Sequence, residues 1–290
     1  MDQEVREILR KELDTDWWDQ QVAASSLKNP MIYSWVMDIL AEDWSVFTND
    51  RNAIPVPYST TFGIRRARQH PFSRQVDFLN FEAQSVLLKA IKNAFKEIDL
   101  GISVEDGLEN DQLFQCIDLN DESGYSTNAK RLIKKAEQFE YTFQEDVTDL
   151  LAFYHDNTRE KIGLPEFYSV ILGELMLAFL EHEKGFHIVA KKNNETVGGI
   201  FVILDKDIAY YLIADGDQQA KREGVIFGLM NQAIQHTRDM GYYRFDFGGS
   251  NVPSVADFYH KFGATDQSYA RLVQNKLPGW FKLIKKFKRA

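Results

Sequence analysis

The sequence holds a single cysteine, Cys116, in 290 residues, which excludes an internal disulfide framework and is what a reducing cytoplasm leads one to expect. Cys116 sits between Gln115 and Ile117 in a β-type run and reads as core rather than as a nucleophile. Long apolar runs are also missing. The most apolar helical segment, Phe167 to Leu180, is interrupted by Glu174 and falls short of the roughly 20 apolar residues of a spanning helix. The first seven residues carry charges throughout, the pattern of a helical stretch and not of a secretory leader. Six histidines show no metal-ligand spacing, so no metal site is expected, and His155, His187 and His260 read as structural or surface residues. Positive charge is not in excess: a net charge of −9 argues against bulk attraction of nucleic acid. No internal repeat or low-complexity tract interrupts the chain.

What is present is an ordinary folding composition, 44% hydrophobic and 27% charged, in a length that suits two domains. Apolar spacing predicts helices over 16–26 and 31–41, then short strands over 44–48 and 53–58. Pro55 and Pro57 make the second of these an edge or irregular strand. Residues 84–98 read as an amphipathic helix and 113–119 as a strand. The polar run 120–128 is rich in turn-forming residues and is the expected linker. Beyond it come a basic helix (129–139), a short strand (141–144), helices over 147–160 and 165–181, and a meander of three strands (186–191, 196–204, 208–214). A helix (222–240), a strand (242–247), a helix (254–261) and a last strand (269–274) complete the order. Two basic clusters stand out in the acidic chain: Lys130, Arg131, Lys134 and Lys135, and the C-terminal Lys282, Lys285, Lys286, Lys288 and Arg289.

The most informative segment is Phe245-Asp246-Phe247-Gly248-Gly249-Ser250-Asn251, followed by Pro253 and by Phe258-Tyr259-His260-Lys261-Phe262-Gly263-Ala264. It reads as strand, glycine turn and helix, with Pro253 at a first helical position and N–H groups at the helix start placed to hold an anion or a carbonyl oxygen. Asn251, an apolar turn, Phe258-Tyr259 and Phe262-Gly263 resemble the closing motif of the GNAT acyltransferases. Asp246-Phe247-Gly248-Gly249 narrows the resemblance to the FemAB-like branch. The element order after Asn128 resembles one whole GNAT domain. Ile54-Pro55-Val56-Pro57-Tyr58, with Phe62-Gly63-Ile64 and Pro71-Phe72-Ser73, is similar to the N-domain pattern of FemAB-like proteins, and 128–136 to their inter-domain basic helix. The resemblance implies a mixed α/β fold of two tandem GNAT-like domains, each a mixed, mostly antiparallel sheet flanked by helices. Residues 1–127 would form a diverged first domain and 128–290 the second, with a basic tail.

An acyltransferase must stabilise an oxyanion, receive a neutral amine and protonate a leaving group. The resemblance implies transfer of an acyl or aminoacyl group to an amine acceptor, of the class of peptidoglycan precursors, with aminoacyl-tRNA as donor and the reaction in a cleft between the domains. A coenzyme A-dependent N-acyltransferase and a non-catalytic binding module on the same fold are the alternatives. Tyr259 is the candidate proton donor, since a phenol near its ordinary pKa of ~10 stays protonated at neutral pH; the plainer alternative packs it between Phe258 and Phe262. Peptidoglycan ligases of this branch commonly carry lysine near this position, whereas here Lys261 stands two residues on. Asp246 is the second catalytic candidate, holding an amine or orienting a base, against an Asp–Arg pair with Arg244 or a turn-capping role. Gly248, Gly249, Ser250 and Asn251 are expected to line the substrate.

A GNAT pyrophosphate loop reads Gln/Arg-x-x-Gly-x-Gly/Ala, because small residues let successive N–H groups curl around phosphate. The register here gives Lys221-Arg222-Glu223-Gly224-Val225-Ile226. Lys221 and Gly224 are therefore the candidate contacts for an acyl-CoA, while Ile226 and the charge of Glu223 work against that cofactor. Arg65, Arg66, Arg68 and Arg74 form a basic group around Pro71-Phe72; Arg65, Arg66 and Arg74 are candidate phosphate-gripping substrate residues, or else a solvated basic loop. Residues 279–290 have the composition of an interfacial helix, so the expected location is cytoplasmic with weak contact to an anionic inner membrane face, the alternative being a tail docked on its own first domain.

Overall fold

The computed structural model describes residues 4–49, 51–80, 82–103, 112–121, 124–249 and 252–281. The chain divides into two compact units, 1–112 with 269–290, and 113–268. In the first unit the strands are β1 (Arg6–Leu9), β2 (Asp43–Asn49), β3 (Asn52–Thr61), β4 (Ile64–Arg68), β5 (Glu97–Ile102) and β12 (Thr265–Asn275), neighbours in that order. Every pairing is antiparallel except β4 with β5. The second unit repeats the pattern with β7 (Glu140–Phe143), β8 (Gly185–Lys192), β9 (Glu195–Asp205), β10 (Ile208–Gly216), β11 (Arg244–Asp246) and β6 (Gln112–Asp118), where β10 and β11 are the parallel pair. Each unit is thus a mixed, mostly antiparallel sheet with helices, and the sixth strand of each is exchanged. The strand that follows β5 in the chain, β6, pairs with β11, and the strand that follows β11, β12, pairs with β5.

This exchange moves the division of the chain away from 127/128. The end of the expected linker is anchored: Tyr125 packs edge-on against Phe262, and the Ser126 N–H donates to the Lys261 carbonyl at 2.9 Å. Ser126 also caps helix α4 (Thr127–Ala136), its Oγ accepting from the Ala129 N–H.

Helices α1 (Thr15–Ala24), α2 (Ser34–Leu40) and α3 (Gln84–Ala94) belong to the first unit. The segment expected to be a charged helix at the N-terminus contains β1 instead, where Glu7 pairs with Arg65. The helix expected to reach Ile98 stops at Ala94, and Ile98 lies in β5, fully buried. β3 is internal rather than an edge, yet Pro55 and Pro57 lie where it pairs only with β2; pairing with β4 begins at Tyr58, so the missing N–H groups leave no ladder bond unmade. Leu87, Ile91, Phe95, Ile98 and Leu100 fill this unit's core.

In the second unit, α5 (Thr148–Phe153) continues as a π-helical turn (Tyr154–Arg159), followed by α6 (Phe167–Glu181), α7 (Gln218–Arg222), α8 (Val225–Asp239) and α9 (Pro253–His260). Ile117, Phe186, Val202, Leu229, Phe245 and Phe262 are among its core residues. Cys116 is a buried free thiol on β6, as read from the sequence. α4 packs on α8 at Gly228, where a Cβ would lie 1.9 Å from the Tyr141 hydroxyl.

His187 on β8 is 1% exposed, its ring beside Phe201. Burial drives its pKa down from 6.5 to about 4, outweighing the pull of Asp146 and Asp149. The native state thus keeps a neutral imidazole where the unfolded chain takes a proton. Stability is complete above pH 6.5 and declines as pH falls through the window down to about 4, by about 3 kcal/mol from this residue. Urea midpoints measured across that window should fall for the wild type and fall less for His187→Leu; equal acid slopes would place the sensitivity elsewhere.

Among the described residues no helix is long and apolar enough to cross a membrane, and no group of side chains has the make-up of a metal site.

Candidate active site

Two parallel strands part at the informative segment. β10 and β11 pair only from Ile208 and Arg244 to Tyr210 and Asp246. Beyond that point β10 shifts register against β9 between Tyr211 and Ile213, while the other chain turns away through Gly248 and Gly249, at φ 82° and 91°. Both glycines are sterically required. A Cβ on Gly249 would lie 2.7 Å from Phe114 Cβ, and one on Gly248 would lie 3.2 Å from the Tyr211 carbonyl oxygen.

The structure brings Asp246, Gly248 and Tyr259 together at this opening. Asp246 is 2% exposed, and its Oδ1 accepts the Gly248 N–H at 2.8 Å, so the carboxylate fixes the turn. Arg244, two residues back, stacks over the Tyr243 ring. Tyr259 lies on α9, which starts at Pro253 as its sequence dictates. Its ring stacks on Phe247 with centroids 4.8 Å apart and meets Tyr211 edge-on at 6.0 Å. At 6% exposure, Tyr259 has its pKa pushed up by burial first, then by Tyr211 and by the charge of Asp246. The phenol is therefore held firmly in its protonated form, and among the described residues its hydroxyl makes no hydrogen bond. Ser250 and Asn251 lie outside the described residues.

Tyr211 is the residue that sequence reading missed. Its hydroxyl accepts the Ala214 N–H at 2.9 Å across the β10 irregularity, and burial raises its pKa as well. The only sequence signal is an aromatic near the end of a predicted strand, which does not reveal that the strand bulges there.

The loop leading out of β10 satisfies itself. Asp217 accepts from the N–H groups of Gln219 and Ala220, both at 2.8 Å, and the Lys221, Glu223 and Gly224 N–H groups donate to carbonyls within the same loop. Lys221 is ion-paired with Asp215, a fully buried carboxylate that also accepts from Thr158 Oγ1 at 2.6 Å. Gly224, at φ 92°, faces α4 so closely that a Cβ would lie 2.6 Å from the Leu132 carbonyl oxygen. Glu223 pairs with Lys192. The N–H groups of Lys221, Glu223 and Gly224 are thus engaged, while α8 begins at Val225 with no side-chain cap.

The arginines lie in the first unit, and three of them are on a strand rather than a loop. Arg65 pairs with Glu7 and stacks over Tyr58, Arg68 pairs with Glu97, and Arg74 lies over the Tyr269 ring. Arg66 Nη2 donates to the Ser59 and Thr61 hydroxyls, and Arg66 meets no carboxylate among the described residues. Of the histidines, His260 pairs with Asp266 at 2.9 Å and His155 lies 3.4 Å from the Ser169 hydroxyl.

Residues 123–261 match the acetyltransferase (GNAT) domain family. No curated protein matches the chain in sequence. Among solved structures, FemX shares its fold with a TM-score of 0.68 at 10% identity, covering 97% of this chain and all of FemX (100%). The C-terminal domain of a putative lysylphosphatidylglycerol synthetase from Agrobacterium fabrum aligns with a TM-score of 0.59 at 13% identity, over 90% of this chain and 93% of that one. L-PGS from Bacillus licheniformis gives 0.58 at 14%, over 95% and 96%. The match over residues 123–261, around the parted parallel strands, supports an acyltransferase. Within that type, its fold is that of the FemAB-like branch.

Proposed function

We propose that the protein transfers an aminoacyl group from an oxygen ester, of the kind carried by aminoacyl-tRNA, to an amine acceptor such as a peptidoglycan precursor, at the opening between β10 and β11. Tyr259 carries this reading, a buried phenol at the opening whose hydroxyl has no hydrogen-bond partner among the described residues. A departing alkoxide is far more basic than a thiolate, whose thiol has a pKa of ~8.5, and so depends more on such a proton donor. Asp246 holds the incoming amine, and Ser250 and Asn251 stay candidate contacts of the substrate on their sequence alone. Lys221 and Gly224 are not ligands of coenzyme A in this reading, because their loop is closed on itself and backed by α4. The name of the putative lysylphosphatidylglycerol synthetase, whose C-terminal domain shares the fold, joins a lysyl group to an acceptor and supports aminoacyl transfer. A thioester donor is the rival, favoured by the match to an acetyltransferase domain.

The donor's phosphates meet α4. Lys130, Arg131, Lys134 and Lys135 are exposed there with no acidic residue in the helix, and its N-terminal cap is bonded to the end of α9. Thermal-shift measurements test this, since a ligand of the native state raises the melting temperature. Aminoacyl-tRNA should raise it and acetyl coenzyme A should not. Lys130→Glu with Lys134→Glu should abolish the shift, the loss of two phosphate contacts lowering the salt slope of binding by about 2. Stabilisation by acetyl coenzyme A alone would overturn the donor assignment.

A further inference from the structure

Residues 282–290, most of the segment read from the sequence as interfacial, lie outside the described residues; the described ones point instead to the opening between β10 and β11. Acyl transfer needs an oxyanion donor, a holder for the amine and an acid for the leaving group. Asp246 and Tyr259 account for the second and third. The first has to be in place before the carbonyl oxygen gains its charge, because a donor that must swing in loses its effect to reorganisation. Tyr211 meets that requirement. Its hydroxyl oxygen accepts the Ala214 N–H at 2.9 Å, which pins the phenol across the irregularity in β10. With the oxygen engaged as an acceptor, the hydroxyl hydrogen points elsewhere, and it meets no acceptor among the described residues. The ring is half-buried, with its centroid 6.0 Å from that of Tyr259.

The backbone behind Tyr211 is firmly held. Asp215, next to Ala214 and 1% exposed, accepts from Thr158 Oγ1 at 2.6 Å, Asn157 Nδ2 at 3.3 Å and the Gly216 N–H at 2.7 Å, and it pairs with Lys221. Thr158 and Asn157 stand on the π-helical turn, a feature that recurs beside functional sites. Burial raises the Tyr211 pKa, the Ala214 bond opposes the rise, and the charge of Asp215 adds to it. The phenol therefore keeps its proton, while the N–H it accepts polarises its own O–H. Tyr259, whose hydroxyl is bonded to nothing among the described residues, is the phenol left to give its proton up. We propose that the Tyr211 hydroxyl is the oxyanion donor of this site, working beside Tyr259 as the acid. This rests on the acyl-transfer reading above, though not on the choice of an oxygen ester. The amine nitrogen bonds to the carbonyl carbon, and the carbonyl π pair moves to oxygen, which takes a hydrogen bond from Tyr211. As that pair returns, the bond from carbon to the leaving group breaks, and the leaving atom takes the Tyr259 proton. Nitrogen sheds one proton to the Asp246 carboxylate, from which the Tyr259 phenolate is restored. Tyr211 starts and ends the cycle protonated.

A thioester passes through the same oxyanion as an oxygen ester. Tyr211→Phe should therefore lower single-turnover transfer by roughly 10²–10³-fold from either donor, with KM little changed. The probes are alanyl-tRNA and alanyl coenzyme A, with a nucleotide-linked muropeptide as the amine acceptor. Equal loss on both donors separates this role from that of Tyr259, whose loss depends on the donor. Because Tyr211→Phe also leaves the Ala214 N–H unpaired, a circular dichroism melt accompanies it, and replacement of Tyr211 by mono- and difluorotyrosine keeps the hydroxyl. Fluorination makes the phenol a better donor and a poorer acceptor, so transfer at neutral pH should rise along that series. A group that served only to hold the Ala214 N–H would give no rise. Undiminished transfer by a folded Tyr211→Phe protein overturns the proposal, as does transfer that stays level or falls with fluorination. Transfer from the thioester alone would overturn the oxygen-ester assignment and not this one, since the Tyr211 comparison is then made on that donor. No transfer from either donor by the wild type would overturn the acyl-transfer reading and this role with it.

Discussion

Tyr259→Phe should lower turnover by roughly 10²–10⁴-fold, the usual worth of a general acid, and leave the fold intact. The phenylalanine ring keeps the stack on Phe247 and the edge contact with Tyr211, and the lost hydroxyl has no hydrogen-bond partner among the described residues. Its removal therefore costs no buried hydrogen bond, and stability should change by less than about 1 kcal/mol. The loss should fall on kcat with KM little changed, because the proton is delivered only as the leaving group departs. Steady-state kinetics with a urea melt of the same preparation separates this from structural damage: a parallel loss of stability, or unchanged turnover, would leave Tyr259 as a packing residue.

A fragment of residues 112–268 should unfold cooperatively, whereas 128–290 should not fold. The second fragment lacks β6, so β11 loses its antiparallel neighbour, and it carries all of β12 without β5, the strand with which β12 pairs. It also lacks Ile117 and Leu119, which are 4% and 3% exposed in the core. Deleting large buried aliphatics costs about 2–5 kcal/mol apiece, against a total stability of about 5–15 kcal/mol for a domain. Circular dichroism and urea titration of the two fragments decide it. A cooperative transition for 128–290 would mean that the exchanged strand is dispensable.

Much of the second unit was legible because its signals are local. The apolar runs of β8, β9 and β10, the punctuating Asn193-Asn194 turn, and Pro253 before an apolar helix face are short-range features, and the structure places elements where they point. The same holds for Gly248 and Gly249, whose positive φ values follow from a turn that leaves a strand. The exchange of β6 and β12 was not legible, since pairing partners more than a hundred residues apart leave no mark on the spacing of either strand. Charge hid β1 and β4. Arg65 and Arg68 look like a solvated loop until Glu7 and Glu97 are seen opposite them. Tyr211 was missed for a related reason: its position at the site depends on a register shift in β10, and its neighbour Tyr259 is supplied by tertiary structure.

The central claim is that the site serves an oxygen-ester donor and spends its proton on the leaving alkoxide. The most direct measurement compares single-turnover transfer from two donors bearing the same acyl group, one an oxygen ester and one a thioester, in the wild type and in Tyr259→Phe. A large loss with the oxygen ester and little loss with the thioester is the predicted result. Equal losses on both donors, or wild-type transfer from the thioester alone, would contradict it.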